Sequence, residues 1–144
     1  MRDYTVTATR QGPSGSIASA RTAEVQLDTT LAGRDDAFNP VELLLASLAA
    51  CMVKGVERSA PMLDFQFQAV SVRLRAVRQD APPMLISIDY ELTVDTDEPP
   101  RRLELLHTNV RKYGTISNTL ALAVPLTGIC RAGIGMPVPK AKQE

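Results

Sequence analysis

Two thiols carry whatever cysteine chemistry this 144-residue sequence has: Cys51 and Cys130. With a single histidine, His107, they form no CxxC or Cys/His cluster of the kind that holds zinc, so neither a metal nor a cofactor is expected. Two cysteines are also too few for a disulfide scaffold, which leaves a single thiol or a single pair. Cys51 lies in an apolar segment, where a free cysteine behaves as a small hydrophobe. To act as a nucleophile it must be a thiolate, a state that apolar burial opposes and only a nearby cation or donor restores. A reactive Cys51 therefore needs an arginine from elsewhere in the sequence. Glu42 stands nine positions earlier. At about 100° and 1.5 Å per residue, that places it roughly opposite Cys51 and about 13.5 Å along the axis. Within one helix the two cannot meet, so a shared site needs a long bridging side chain or the Glu42 of a second subunit.

The helix that carries both residues has its start written into it. In Asn39-Pro40-Val41-Glu42, Asn39 suits the N-cap, Pro40 the first helical position, and Glu42 can reach back to the cap N–H. Pro61 is expected to end the helix. From Val41 to Val53 only Glu42 and Ser47 are neither apolar nor small, so burial on most sides is expected.

Around this helix the sequence reads mainly as β structure. Tyr4, Val6 and Ala8, a Gly12–Gly15 turn, and Ala23, Val25 and Leu27 suggest a first hairpin. Residues 65–94 suggest a second, with a phase change in the alternation predicting a bulge near 69–70 and a connection over Gln79–Pro83. Leu103, Leu106, Val110 and Tyr113 mark an amphipathic helix that Gly114 would stop. A short helix over Ile116–Ala123 and a last strand with Val124, Leu126 and Ile129 follow. The tail from about residue 133 is expected to fray. Segregated strands and helices make the class α+β, one domain over 1–144, with antiparallel sheet packed on a long central buried helix. One small sheet covers one side of that helix, so a homodimer whose core includes both central helices is expected.

Composition narrows the partners. Sixteen Lys and Arg balance sixteen Asp and Glu, aromatics make up 4%, and Trp is absent, which argues against nucleic acid. No segment approaches the ~20 apolar residues of a membrane span, and the N-terminus lacks a secretory apolar core, so a cytoplasmic protein with no membrane partner is expected. His107, at the margin of the amphipathic helix, reads as a structural or surface histidine.

The segment from Asn39-Pro40-Val41-Glu42 through Cys51-Met52 resembles the cysteine helix of the OsmC/Ohr family, the osmotically inducible and organic hydroperoxide resistance proteins. Lys112-Tyr113-Gly114-Thr115-Ile116-Ser117-Asn118-Thr119-Leu120 resembles the segment around that family's second cysteine, and the order of elements agrees along nearly the whole chain. The resemblance implies an intertwined homodimer with two interfacial sites and a thiol-dependent peroxidase that reduces organic hydroperoxides in oxidative stress defence. It casts Cys51 as the attacking thiol and Glu42 as partner of the arginine that keeps the sulfur ionised. No motif fixes that arginine: Arg34, in the loop before the helix, is preferred over Arg10 and then Arg21. Gly114 occupies the second-cysteine position, so an external thiol reductant is expected, and Cys130, some sixteen residues further on, is not expected to resolve Cys51. The alternative is a protein of this fold without efficient peroxidase activity that binds a small apolar or thiol-reactive ligand at the dimer interface.

Overall fold

The computed structural model describes residues 1–134. Over these the chain is mixed α+β, with two three-stranded sheets, and it divides into two compact units, the first Met1–Ala46 and the second beginning at Ser47.

The first unit is an antiparallel meander of β1 (Thr7–Arg10), β2 (Ser16–Ala20) and β3 (Ala23–Leu27). Sequence patterning shows only its outer strands, because β2, Ser-Ile-Ala-Ser-Ala, is built of small residues with little hydrophobic contrast. Gly15 is required where β2 begins: its φ is +122°, and a Cβ there would lie 2.6 Å from the Leu27 carbonyl oxygen. The Arg21–Thr22 turn joins β2 to β3 with Arg21 itself in the left-handed region, at φ 56°. That turn carries no glycine, which is why the sequence does not announce it.

Helix α1 (Pro40–Leu63) runs from the first unit into the second. Its start is the capping box expected from the sequence: Glu42 N–H donates to Asn39 Oδ1 at 2.9 Å, and Asn39 N–H donates to Glu42 Oε1 at 3.0 Å. Pro61 does not end it. The helix continues to Leu63 with Pro61 in its last turn, and the stop is supplied by Asp64, left-handed at φ 49°. Phe65 N–H then donates back to the Ala60 carbonyl at 2.9 Å and the Asp64 N–H points to the Pro61 carbonyl, a Schellman closure with Phe65 buried. Arg102 caps the same end, donating to the Leu63 and Asp64 carbonyls while pairing with Glu98.

The second unit holds β4 (Ala69–Asp80), β5 (Pro83–Asp95), α2 (Pro100–Tyr113), α3 (Thr115–Leu120) and β6 (Leu126–Ala132). The sheet order is β4-β5-β6. β4 and β5 form the expected hairpin, but β6 joins β5 in parallel, so this sheet is mixed rather than wholly antiparallel. The reason is the connection: α2 and α3 lie between β5 and β6 and form the crossover that a parallel neighbour needs. The register shift falls between Val77 and Arg78 rather than near 69–70. Residues 65–68 are not strand at all, so the odd-numbered phase set by Phe65, Phe67 and Ala69 falls mostly before β4, and Phe65 is the residue that closes α1.

The core of this unit gathers Leu48, Met52, Val56 and Ala60 of α1, Ile88, Tyr90, Leu92 and Val94 of β5, and Leu103, Leu106 and Val110 of α2. α1 and α2 cross where Gly55 meets Val110, a Cβ at 55 standing 3.2 Å from a Val110 methyl. Within the chain, α1 therefore buries one stripe rather than most of its circumference, and Ala50, Val53 and Lys54 remain exposed. The expected fraying of the tail concerns residues that, from 135 on, lie outside those described.

Candidate functional site

Cys51 is half-buried on α1 and unpaired. Its neighbour at the junction of α2 and α3 is the residue at the position where the resemblance places a second thiol: a Cβ built on Gly114 would lie 3.5 Å from Cys51 Sγ. Gly114 follows α2 as the sequence suggests, but for a different reason. Its φ of −80° is open to any residue, so no left-handed turn demands glycine here. Space does. The same Cβ would stand 2.4 Å from Ser117 Oγ and 2.9 Å from the Val110 carbonyl oxygen. Ser117 is buried and its hydroxyl donates to the Gly114 carbonyl at 3.1 Å, filling the volume beside the thiol.

Tyr113, expected to extend the apolar stripe of α2, is 49% exposed instead. Arg58 and Lys112 lie over its ring, with guanidinium carbon and ammonium 5.8 Å and 5.3 Å from the centroid. Arg58 was not singled out in the sequence. The available signal was its spacing, since seven residues make two turns and set it on the same face of α1 as Cys51.

Cys130 lies in β6, opposite Leu92 of β5, and is free. Desolvation pushes its thiol up to about 11, which makes it a poor source of thiolate.

Arg34 and Glu42 come together in the first unit, where both line an open hollow of about 910 Å³ that also includes Asp28, Asp36, Phe38 and Asn39. Arg34 is firmly held. Its Nε and Nη2 fork onto the two oxygens of Asp36 at 2.8 and 2.9 Å, and its Nη1 donates to the Ser14 carbonyl at 2.6 Å. Hydrogen bonding to Arg34 holds the Asp36 carboxyl below the usual carboxylate range. Asp28 is lowered first by the backbone N–H of Arg34, which anchors the same loop. The carboxylate on Arg34 is thus Asp36, while Glu42 serves the helix cap through Oε1. Arg10 and Arg21 are exposed, at the end of β1 and in the β2–β3 turn.

The sequence matches the family of OsmC-like proteins over residues 33–127. By sequence, no curated protein matches it. Among solved structures, an OsmC-like protein of Mycoplasma pneumoniae superposes with a TM-score of 0.83 at 19% identity, covering 91% of this chain and 97% of that one. An organic hydroperoxide resistance protein OsmC of Legionella pneumophila gives 0.68 at 18% identity, over 90% and 98%. The organic hydroperoxide resistance protein OhrB of Bacillus subtilis gives 0.62 at 16% identity, again over 90% and 98%. At such identities these likenesses speak to the fold. Among the described residues no helix is long and apolar enough to cross a membrane, and no group of three or more His, Cys, Asp or Glu could hold a metal ion.

Proposed function

We propose, on the premise that this chain belongs to the family of OsmC-like proteins, that it is a cytoplasmic, thiol-dependent peroxidase that reduces organic hydroperoxides through Cys51 in oxidative stress defence. The observation that carries this reading is the half-buried Cys51, free and with its sulfur beside position 114. The Cys51 thiolate attacks the distal peroxide oxygen, the O–O bond breaks, the alkoxide takes a proton and leaves as an alcohol, and Cys51 becomes a sulfenic acid. Glycine at 114 offers no second thiol, so an external thiol condenses with the sulfenic acid, releasing water and forming a mixed disulfide. A second thiol then attacks that disulfide and frees Cys51.

The thiolate needs a positive neighbour. Arg34, with Glu42 beside it in one hollow, is assigned that role, its guanidinium remaining charged in its Asp36 pair and a second Nη2 hydrogen having no partner among the described residues. Arg58, on the Cys51 face of α1, is the competing cation. The active molecule is a homodimer. Support comes from apolar side chains of the first unit left without cover, among them Tyr4, Val6, Leu31 and Phe38, and from β1 and β3 exposed almost throughout.

The test is consumption of cumene hydroperoxide or tert-butyl hydroperoxide with a monothiol or dithiol reductant, together with trapping of the sulfenic acid. Cys51→Ser should abolish turnover and Cys130→Ser should leave most of it, while Arg34→Gln against Arg58→Gln shows on which cation turnover depends. A wild-type Cys51 that never yields a sulfenic acid sinks the peroxidase and leaves a ligand-binding protein of the same fold.

A further inference from the structure

The second unit also builds a cluster that the proposed peroxidase chemistry does not use. Tyr90 projects from the core face of β5, and its hydroxyl meets two side chains of α2: His107 Nε2 at 2.5 Å and Arg111 Nη1 at 3.1 Å. The Tyr90 and His107 rings meet edge to face at 5.7 Å, and the Arg111 guanidinium carbon lies 5.6 Å from the Tyr90 ring centroid. β6 makes room for this with Gly128, where a Cβ would lie 2.5 Å from three atoms of the Tyr90 ring.

The charge balance of the cluster is unusual for this molecule. Three arginines are half-buried among the described residues, Arg34, Arg102 and Arg111. Asp36 answers the first and Glu98 the second. Arg111 has no acidic partner among the described residues and is held only by a phenol oxygen and a ring face. It borders an open hollow of about 520 Å³ lined by Tyr90, His107, Thr108, Arg111, Lys112 and Gly128, which adds a second cation and no carboxylate. The nearest acidic residues in sequence, Asp89 and Glu91, alternate onto the other face of β5, where they face Arg75 and Arg131. A guanidinium partly removed from water, fixed in orientation and left without a counter-charge is half of an ion pair.

We propose that this hollow binds a small molecule through an oxyanion, phosphate or carboxylate, with Arg111 as the oriented donor, Lys112 as the exposed second charge, and Tyr90, its hydroxyl bonded by His107, holding Arg111 in place. The site is independent of Cys51 and stands whether or not that thiol is reactive.

His107 is the only histidine in the chain, so its imidazole resonances report on the hollow without ambiguity. Inorganic phosphate and, in a separate arm, acetate are titrated into the isotope-labelled full-length protein at constant pH, with chloride at matched ionic strength as the third arm. The expected result is a saturable shift of the His107 signals with phosphate, with acetate or with both, the responding arm showing whether the site takes tetrahedral phosphoryl or planar carboxylate oxygens. Arg111→Gln should weaken that binding by about tenfold or more, the loss of one charge-assisted contact. Lys112→Gln, at an exposed position, should weaken it less. Wild-type shifts no larger with phosphate or acetate than with chloride overturn the proposal, and so does a folded Arg111→Gln variant that titrates like the wild type.

Discussion

Gly114→Cys should bring a second thiol within bonding reach of Cys51, and the structure sets both the cost and the gain. The Cβ of residue 114 would lie 3.5 Å from Cys51 Sγ, against roughly 3 Å between a Cβ and the partner sulfur of a bonded pair. A small rotation of the Cys51 side chain closes that difference. The cost is crowding, because the same Cβ falls 2.4 Å from Ser117 Oγ and 2.9 Å from the Val110 carbonyl oxygen. An overpacked buried position of this kind loses about 1–3 kcal/mol, so the reduced variant should be less stable than wild type by that amount. Oxidation reverses the sign. A 51–114 bridge closes a loop of about 64 residues, which the chain-entropy account values at about 4 kcal/mol through the unfolded state. The oxidised variant should therefore be more stable than wild type, and adding Ser117→Ala should reduce the penalty in the reduced form while keeping the bridge. Urea unfolding with and without reductant measures the two signs, and peptide mass mapping counts the lost thiols. The reasoning fails if hydroperoxide converts Cys51 to a sulfenic or higher acid in this variant while the 114 thiol stays free, or if the bridge forms and stability does not rise.

Four further outcomes follow from the same geometry. Cys130, its thiol pushed up to about 11 by burial, should carry about a hundredfold less thiolate at pH 8 than a thiol at the ordinary value of 9.0. Iodoacetamide at that pH should then label Cys51 well before Cys130, and equal rates would contradict the assignment. Desolvation, with a smaller contribution from Arg111, lowers the His107 pKa below 6.5, so the unfolded chain takes up the proton first as pH falls. The stability His107 contributes is present above pH 6.5 and is lost as pH falls through its folded value; unfolding free energies between pH 7.5 and 5 should decline more steeply in wild type than in His107→Gln, and parallel curves would rule this out. Gly128→Ala drives a Cβ to 2.5 Å from the Tyr90 ring and should cost about 1–3 kcal/mol in urea unfolding, with a neutral result showing that the ring has other room. Asn39→Ala removes one half of the capping box and should cost about 0.5–2 kcal/mol by the same measurement.

What was legible in the sequence divides along the range of the interactions. The start of α1 is local, four consecutive residues whose side chains bond their own backbone, and Asn39 and Glu42 do what their types predict. The apolar stripe of α2 at Leu103, Leu106 and Val110 is likewise a matter of period and is buried as expected. The failures need a partner distant in sequence. Pro61 reads as a stop only if the helix must end where its N–H is missing; in the last turn the lost bond is tolerable, and the stop belongs to Asp64 and to Phe65 closing on Ala60. The parallel register of β6 depends on the crossover made by α2 and α3, which no pattern within Leu126–Ala132 encodes. Tyr113 fits a stripe by spacing, yet its ring lies outside the core beneath Arg58 and Lys112.

The two glycines at positions 114 and 128 show why residue type alone misleads about a site. Gly114 reads as a helix stop, and a glycine within a strand such as Gly128 carries no signal of its own, but neither has a left-handed φ. Both are there because another side chain occupies the place of their Cβ: the Ser117 hydroxyl at 114 and the Tyr90 ring at 128. At 128 the vacancy is used, since it lets Tyr90 reach His107 and Arg111. At 114 it is filled, since Ser117 bonds the Gly114 carbonyl from within the same volume. A second thiol at 114 is therefore opposed by packing as well as absent by sequence. Thiol replacement alone should consequently work less well than replacement together with Ser117→Ala. If Gly114→Cys alone bridges to Cys51 as completely as the double variant, at equal reduced-state stability, Ser117 does not guard the position and the packing argument for a one-thiol mechanism falls.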